Sequence, residues 1–160
     1  MTTVNKAKAL KTILITGACG AIGRNLVKKL STNNNYLIYA LDDLSSSNAL
    51  PPFKNVKFIH MNIANSEKLT SLLTNLKPNF IFHLAAHFAN QNSVDHPVSD
   101  IMTNIVGLVN LLECQRSNHK LEKIIYSSSS CIYGNLQFMD EEANVSPYET
   151  PYAINKYVGE

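Results

Sequence analysis

Thr16-Gly17-Ala18-Cys19-Gly20-Ala21-Ile22-Gly23 follows the apolar run Ile13-Leu14-Ile15 and leads into Arg24-Asn25-Leu26-Val27-Lys28-Lys29-Leu30. A β-branched strand that meets glycines spaced three apart, and then a helical pattern, predicts strand, tight turn and helix. Glycine lets the backbone turn sharply and approach a ligand, while the unpaired N–H groups and positive dipole end of the new helix face phosphate oxygens. Taken alone, the stretch also fits an ordinary glycine-rich turn. Its spacing is GxxGxxG rather than GxGxxG, and no Lys-Ser or Lys-Thr follows as a nucleoside-triphosphate loop requires.

Outward from this stretch, strands and helices alternate. Strand one is expected over Thr12 to Thr16 and helix one over Ala21 to Ser31, after which Tyr36 to Leu41 reads as a second buried strand ending in Asp42-Asp43. Asp42 lies nineteen residues beyond Gly23, close to the interval at which a dinucleotide fold sets a carboxylate on the adenosine ribose hydroxyls. A carboxylate there accepts from the ribose diol and repels a 2′-phosphate, which favours NAD over NADP. The alternative is that Asp42 only opens the turn before Ser45-Ser46-Ser47. Val56 to Met61 supplies a third strand, Glu67 to Leu76 a helix stopped by Lys77-Pro78, and Phe80 to Leu84 a fourth strand. Ala85-Ala86 after it are small enough to let a ligand lie against the backbone.

From Val98 to Cys114 the residues Val98, Ile101, Met102, Ile105, Leu108, Val109 and Leu112 recur at three and four, the mark of one amphipathic helix. Asn104 on it is either a solvated polar residue or a brace for nearby loops. Lys123 to Tyr126 is strand five and runs into Ser127-Ser128-Ser129-Ser130. The alternation predicts an α/β fold, a Rossmann-like doubly wound parallel sheet with ligands at the strands' carboxyl ends, where Asp42, Ala85 and Ser129 all fall.

The 160 residues fit one domain, with 1–10 a polar, flexible lead-in and 11–160 the dinucleotide-binding unit. A composition 45% hydrophobic and 16% charged is neither disordered nor fibrous, and a net charge of +2 with scattered Lys and Arg gives no case for nucleic acid. No stretch approaches a membrane span, and the start lacks the apolar core of a signal peptide. Cys19, Cys114 and Cys131 lack metal-ligand spacing, so a reduced cytoplasmic protein without a metal site is expected. His83 reads as a structural residue near the cofactor, His87 as a substrate contact or a loop liner, and Asn90-Gln91-Asn92 as a polar loop.

Pro151-Tyr152-Ala153-Ile154-Asn155-Lys156 closes the pattern. In a helix started by the proline, Tyr152 and Lys156 share a face. A phenol is a poor base at neutral pH, but a cation at about 4 Å contributes ~4 kcal/mol at an effective dielectric of about 20, roughly 3 pKa units. That would make the phenolate usable.

Together these residues resemble the extended short-chain dehydrogenase/reductase superfamily and, within it, the NAD-dependent nucleotide-sugar epimerases and dehydratases. The resemblance is carried by Thr16 to Gly23, Leu41-Asp42-Asp43-Leu44, His83-Leu84-Ala85-Ala86, Ser127 to Gly134 and Tyr152 to Lys156, in the family's order across nearly the whole chain. It implies NAD as cofactor and a nucleotide sugar as substrate. Tyr152 is then the base, Ser129 hydrogen-bonds the reacting oxygen, and Lys156 holds the nicotinamide ribose and lowers the tyrosine pKa. Gly17, Gly20, Ala21, Ile22, Gly23, Asp42, Asn62, Ile63, Leu84, Ala85, Ala86 and Asn104, with Tyr152 and Lys156, are the expected cofactor contacts. Asn62-Ile63 stands where the family often has Asp-Ile or Asp-Val touching adenine, and the amide can still accept from the adenine amino group. Phe88 replaces a lysine that some members place on the cofactor.

The reaction expected is epimerisation through a transient keto-sugar, because dehydratases and decarboxylases usually carry an acidic residue where this chain has Ser130-Cys131. Ser-Cys-Ile-Tyr also resembles GDP-sugar epimerase-reductases, in which that cysteine exchanges a proton beside the ketone. A non-catalytic NAD-binding regulatory module is a third reading. Family members continue into a C-terminal substrate domain and pair as homodimers through the helices at Val98 and Tyr152, so the chain is expected to be a fragment, inactive alone.

Overall fold

In the computed structural model, which describes residues 9–87, 90–136 and 138–160, the apolar run before the glycines is the central strand of the sheet. β1 (Lys11–Thr16) lies between β2 (Tyr36–Asp42) and β4 (Phe80–His83), and both neighbours are parallel to it. β3 (Val56–His60) adds to β2 and β5 (Lys123–Tyr126) to β4, giving the order β3-β2-β1-β4-β5. Parallel neighbours need crossover connections, and the helices in those crossovers cover the sheet on both faces.

That arrangement explains the unbroken apolar run. Leu14 joins one core with Leu41, Leu69, Leu73, Ile81 and Leu111, while Ile13 and Ile15 join another with Val27, Ile38 and Ala40. Successive side chains of a strand point to opposite faces, so the two cores are the two sides of one sheet. α1 (Ala21–Ser31) supplies Val27 to one, and α2 (Ser66–Leu76) and α5 (Gly107–Gln115) supply Leu69, Leu73 and Leu111 to the other. The sheet is therefore doubly wound, as the alternation predicts. α2 has its own punctuation: Asn65 accepts from the Lys68 N–H at 3.0 Å, and Lys77 turns left-handed at φ 44 just before Pro78.

Two expectations need correction. The segment from Val98 to Cys114 is not one regular amphipathic helix. α4 (Pro97–Ile101) passes through a π-helical turn, Met102–Val106, into α5. The buried side carries Asp100, Asn104, Gly107, Leu108, Leu111 and Gln115, whereas Val98, Ile101, Met102, Val109 and Leu112 are exposed. Of the apolar stripe, Leu108 is buried while Val98, Ile101, Met102, Val109 and Leu112 face outward, and Asp100 and Asn104, paired with one another, take part of the inward side. The polar stretch after Ala89 also contains a short helix, α3 (Asn90–Asp95), and the serine run ends in a 3-10 turn, Ser130–Tyr133.

Register sets the site. Leu41, Thr16, His83 and Tyr126 stand in one row across β2, β1, β4 and β5. Asp42, Gly17, Leu84 and Ser127 come next, at the carboxyl ends where chain direction diverges around β1.

Candidate active site

The glycine loop is built by close backbone approach. Gly17 has φ +65, and a Cβ there would lie 2.7 Å from the Ala85 nitrogen and 2.8 Å from the Leu84 carbonyl. At Gly23 a Cβ would lie 2.2 Å from the Gly17 oxygen. Both glycines are thus required by the protein itself. Gly20 is different: a Cβ would meet only the Gly17 oxygen, at 3.4 Å. Gly20 is also the N-cap of α1 and offers its first turn no side-chain acceptor. The donors at a helix start have no partner inside the helix, so the open side of Gly20, with exposed Ala21 and Ile22, suits a pyrophosphate. Arg24 clamps the loop by donating from Nε and Nη2 to the Cys19 carbonyl at 3.0 and 2.8 Å.

Asp42 ends β2 against this loop. Its carboxylate accepts from the Cys19 N–H at 2.9 Å and the Leu44 N–H at 2.8 Å, and it is 8% exposed. Each oxygen keeps a further lone pair for a ribose hydroxyl. Burial, followed by the Asp42 charge, pushes the Cys19 thiol up, so Cys19 is not a thiolate of this site. Asn62 is exposed and already committed locally, donating to Asp43 Oδ2 at 2.9 Å and accepting from the Ala64 N–H at 2.8 Å. Ile63 is 3% exposed and belongs to the core beneath. Leu84 and Ala85 are tied to the end of β1, their N–H groups donating to Thr16 O at 3.1 Å and Thr16 Oγ1 at 3.2 Å, with half-buried Ala86 following. Phe88 lies outside the described residues.

Beyond β5, Ser129 caps the 3-10 turn by accepting from the Cys131 N–H at 3.2 Å, and it neighbours the Tyr152 phenol closely enough to lower its proton affinity. Tyr152 and Lys156 lie on α6 (Pro151–Val158), which Thr150 starts by accepting from the Ala153 N–H at 3.2 Å, with Pro151 in the first turn. The Lys156 ammonium donates to the Ser127 carbonyl at 2.7 Å, 4.9 Å from the centre of the Tyr126 ring and 5.9 Å from that of Tyr152. Ser129 and the α6 pair Tyr152 and Lys156 come together at the carboxyl end of β5, two strands over from the β1 strand that leads into the glycine loop.

Residues 13–160 match the model of the NAD dependent epimerase/dehydratase family. The chain belongs to that family. A UDP-glucose 4-epimerase of Mycolicibacterium smegmatis is 38% identical over 154 residues, 92% of this chain and 48% of that protein. The CDP-paratose 2-epimerase of Salmonella typhi is 37% identical over 132 residues, 78% of this chain and 38% of that one. The crystal structure of Thermus thermophilus UDP-glucose 4-epimerase in complex with NAD superposes with a TM-score of 0.83 at 28% identity, covering 92% of this chain and 48% of that chain. The chain therefore spans about half the length, or less, of these relatives.

Against this epimerase/dehydratase background, the tyrosine differs from expectation in one respect. Burial raises the Tyr152 pKa above its ordinary value, and the Cys131 and Asp100 charges add to the rise. The opposing effect comes from Ser129, not from a lysine at about 4 Å. Lys156 points its ammonium to Ser127 and Tyr126, and it is 3% exposed, so burial lowers its pKa to about 8 against a smaller supporting effect of Asp100.

Sequence reasoning missed the polar layer beneath this corner. Asp100, 0% exposed, accepts from Asn104 Nδ2 at 2.9 Å and Asn155 Nδ2 at 2.6 Å, and His87 Nδ1 stands 3.5 Å from it. Asn104 in turn accepts from the His87 N–H at 2.9 Å, which makes it a brace of the loop after β4. His83 bonds Thr16 Oγ1 through Nδ1 at 2.7 Å and stacks on Tyr126, and burial followed by the Lys156 charge lowers its pKa to about 4. The available signal was an acidic residue one turn before an asparagine, which periodicity could not place indoors. No group of three or more His, Cys, Asp or Glu able to hold a metal occurs among the described residues, and no described helix is long and apolar enough to cross a membrane.

Proposed function

We propose that this chain is the cofactor-binding part of an NAD-dependent nucleotide-sugar 4-epimerase that works through a transient keto-sugar. The observation that carries the reading is the gathering of Ser129, Tyr152 and Lys156 at the carboxyl end of β5, in the same sheet whose central strand leads into the glycine loop. NAD, when bound, accepts a hydride and gives it back. Gly17, Gly20, Ala21, Ile22 and Gly23 would hold its pyrophosphate and Asp42 its adenosine ribose, while Leu84, Ala85 and Ala86 wall the crevice beside β4.

The chain's own side chains manage the proton. Tyr152, as phenolate, takes the proton of a sugar hydroxyl as the hydrogen on the same carbon leaves as hydride, and the C–O bond becomes a carbonyl. Ser129 donates to that oxygen and steadies the developing charge. Once the ketone has turned over, Tyr152 returns the proton as the hydride re-enters on the other face, so the sugar suffers no net oxidation. Burial makes Tyr152 a ready proton donor in this second step; in the first, Ser129 favours its ionised form.

Exposed Val98, Ile101 and Val109 on α4 and α5, with Ile154, Tyr157 and Val158 on α6, support a homodimer that covers these three helices. The full-length protein, assayed with NAD and UDP- or GDP-sugars, should interconvert C4 epimers without net NADH. Intact NAD binding with no turnover of any sugar would favour the regulatory module.

One observation favours a second reading. Cys131 lines a cavity of about 170 Å³ with Asn90, Glu149, Thr150 and Ala153, where a thiolate could exchange a proton at the carbon beside the ketone. Deuterium from solvent appearing there in wild type and not in Cys131→Ser would replace the simple 4-epimerase account.

A further inference from the structure

One buried carboxylate fixes His87 twice. The His87 backbone N–H donates to Asn104 Oδ1 at 2.9 Å, and Asn104 Nδ2 donates in turn to Asp100 Oδ1 at 2.9 Å. The His87 ring stands against the same oxygen, its Nδ1 3.5 Å away. Asp100 is 0% exposed, and its other oxygen accepts from Asn155 Nδ2 on α6 at 2.6 Å. A ring lone pair facing a carboxylate would be repelled, so the nitrogen turned toward Asp100 is the one that carries hydrogen. Nδ1 is buried and makes no hydrogen bond among the described residues. A buried donor left unmatched is costly, and 3.5 Å is longer than a formed hydrogen bond. Contacts at an active site are often loose before the ligand arrives and tighten with it. The His87 side chain is 27% exposed; its Nδ1 edge is buried, so the open part is the rest of the ring, and Nε2 is neither buried nor bonded among the described residues.

The loop that carries His87 runs between the two ends of the site. Leu84 and Ala85 are bound to the end of β1, against the glycine turn. Asp100 is bound to α6 through Asn155, one turn on from Tyr152. We propose that His87 is a ligand contact, held as its Nδ1–H tautomer by Asp100 as positioning residue, and that its Nε2 lone pair accepts a hydrogen bond from a hydroxyl of the bound sugar or of the nicotinamide ribose. A hydroxyl is the complementary partner: in this tautomer Nε2 has a lone pair and no proton to give, whereas a phosphate oxygen would bring a second lone pair and a like charge toward Asp100. The hydroxyl assignment rests on the reading of this crevice as a nucleotide-sugar site; the tautomer assignment does not.

The test is the nitrogen NMR spectrum of the His87 ring in the full-length protein, recorded with the ring neutral and assigned by its absence in His87→Phe. Wild type should show a pyrrole-type Nδ1 and a pyridine-type Nε2. The reverse, which free histidine prefers in water, overturns the proposal. In Asp100→Ala the Nδ1–H preference should be lost, and a folded variant that keeps it overturns the role of Asp100; should that variant fail to fold, the wild-type ring still decides. NAD and then UDP-glucose are the probes, since a hydrogen bond accepted at Nε2 moves its resonance toward the pyrrole-type position. A shift with NAD alone assigns the hydroxyl to the ribose, and a shift only when UDP-glucose joins NAD assigns it to the sugar. No shift with either overturns the proposal. His87→Phe leaves Asp100 both its amide donors, and it should weaken binding of whichever probe moved the resonance by about 3- to 10-fold, one ordinary hydrogen bond; unchanged binding would equally overturn the contact. A ring that behaves as expected in a protein that interconverts no sugar counts against the epimerase reading alone.

Discussion

At the glycine end of the site, Gly17 and Gly20 sit in the loop after β1 and Gly23 in the first turn of α1, and contacts form by backbone approaching backbone. At the tyrosine end, Ser129, Tyr152, Lys156 and Asp100 come from the turn after β5, α6 and α4, and contacts form between buried polar side chains. The first end depends on the absence of atoms, since a Cβ at Gly17 or Gly23 would overlap the neighbouring backbone. The second depends on partners, since a buried polar group that loses its partner retains its desolvation cost. Steric substitutions should therefore damage the glycine end, and pH and charge should govern the tyrosine end.

The largest effect expected is on chemistry. Tyr152→Phe should reduce turnover by about 10²- to 10⁴-fold with little change in thermal stability, and a variant retaining wild-type kcat would remove Tyr152 as the base. Next, Gly23→Ala should cost about 3 kcal/mol in urea unfolding, because overpacking against rigid backbone has no flexible side chain to absorb it; a loss below about 1 kcal/mol would show that the loop yields.

The third prediction concerns His83, whose folded pKa of about 4 lies below its ordinary 6.5. Below pH 6.5 the unfolded chain takes up a proton that the folded chain refuses until about pH 4. The contribution is thus whole above pH 6.5 and falls away through that window, by about 3 kcal/mol in all. His83→Gln should flatten this part of the stability profile relative to wild type. Thr150→Ala, which removes the cap of α6, should cost about 1 kcal/mol, read from the denaturation midpoint. Smallest in stability is Gly20→Ala, expected to shift it by less than about 0.5 kcal/mol while weakening NAD binding measured by calorimetry. Equal losses of stability in Gly20→Ala and Gly23→Ala would erase the distinction between a ligand-facing and a packing glycine.

How much could be read in advance follows the same division. The strand, glycine turn and helix, the carboxylate after β2, and the sheet of alternating elements were legible because each is encoded by neighbours in sequence. The inward face of α4 and α5 was not, because the pattern gave Asp100 no place and left Asn104 either solvated or a brace for nearby loops; their burial among Asn155 and His87 is set by contacts across the fold. The position of Lys156 was likewise hidden. Its spacing from Tyr152 placed both on one face of α6, but spacing could not show that the Ser127 carbonyl and the Tyr126 ring would receive the ammonium.

Local order in the chain was enough to determine the alternating α/β plan, the glycine turn between β1 and α1, Asp42 at a strand end and the family to which these motifs belong. Hydrophobic period and glycine spacing act over a few residues, and both survive in any context that lets the strand and helix form. Only the tertiary structure decided which face of the long helix is buried, how Asp100 joins three elements, and that burial leaves Tyr152 with a raised rather than a lowered proton affinity. Those outcomes depend on desolvation and on partners many residues away, which exist only once the sheet has brought the carboxyl ends of β1, β4 and β5 together.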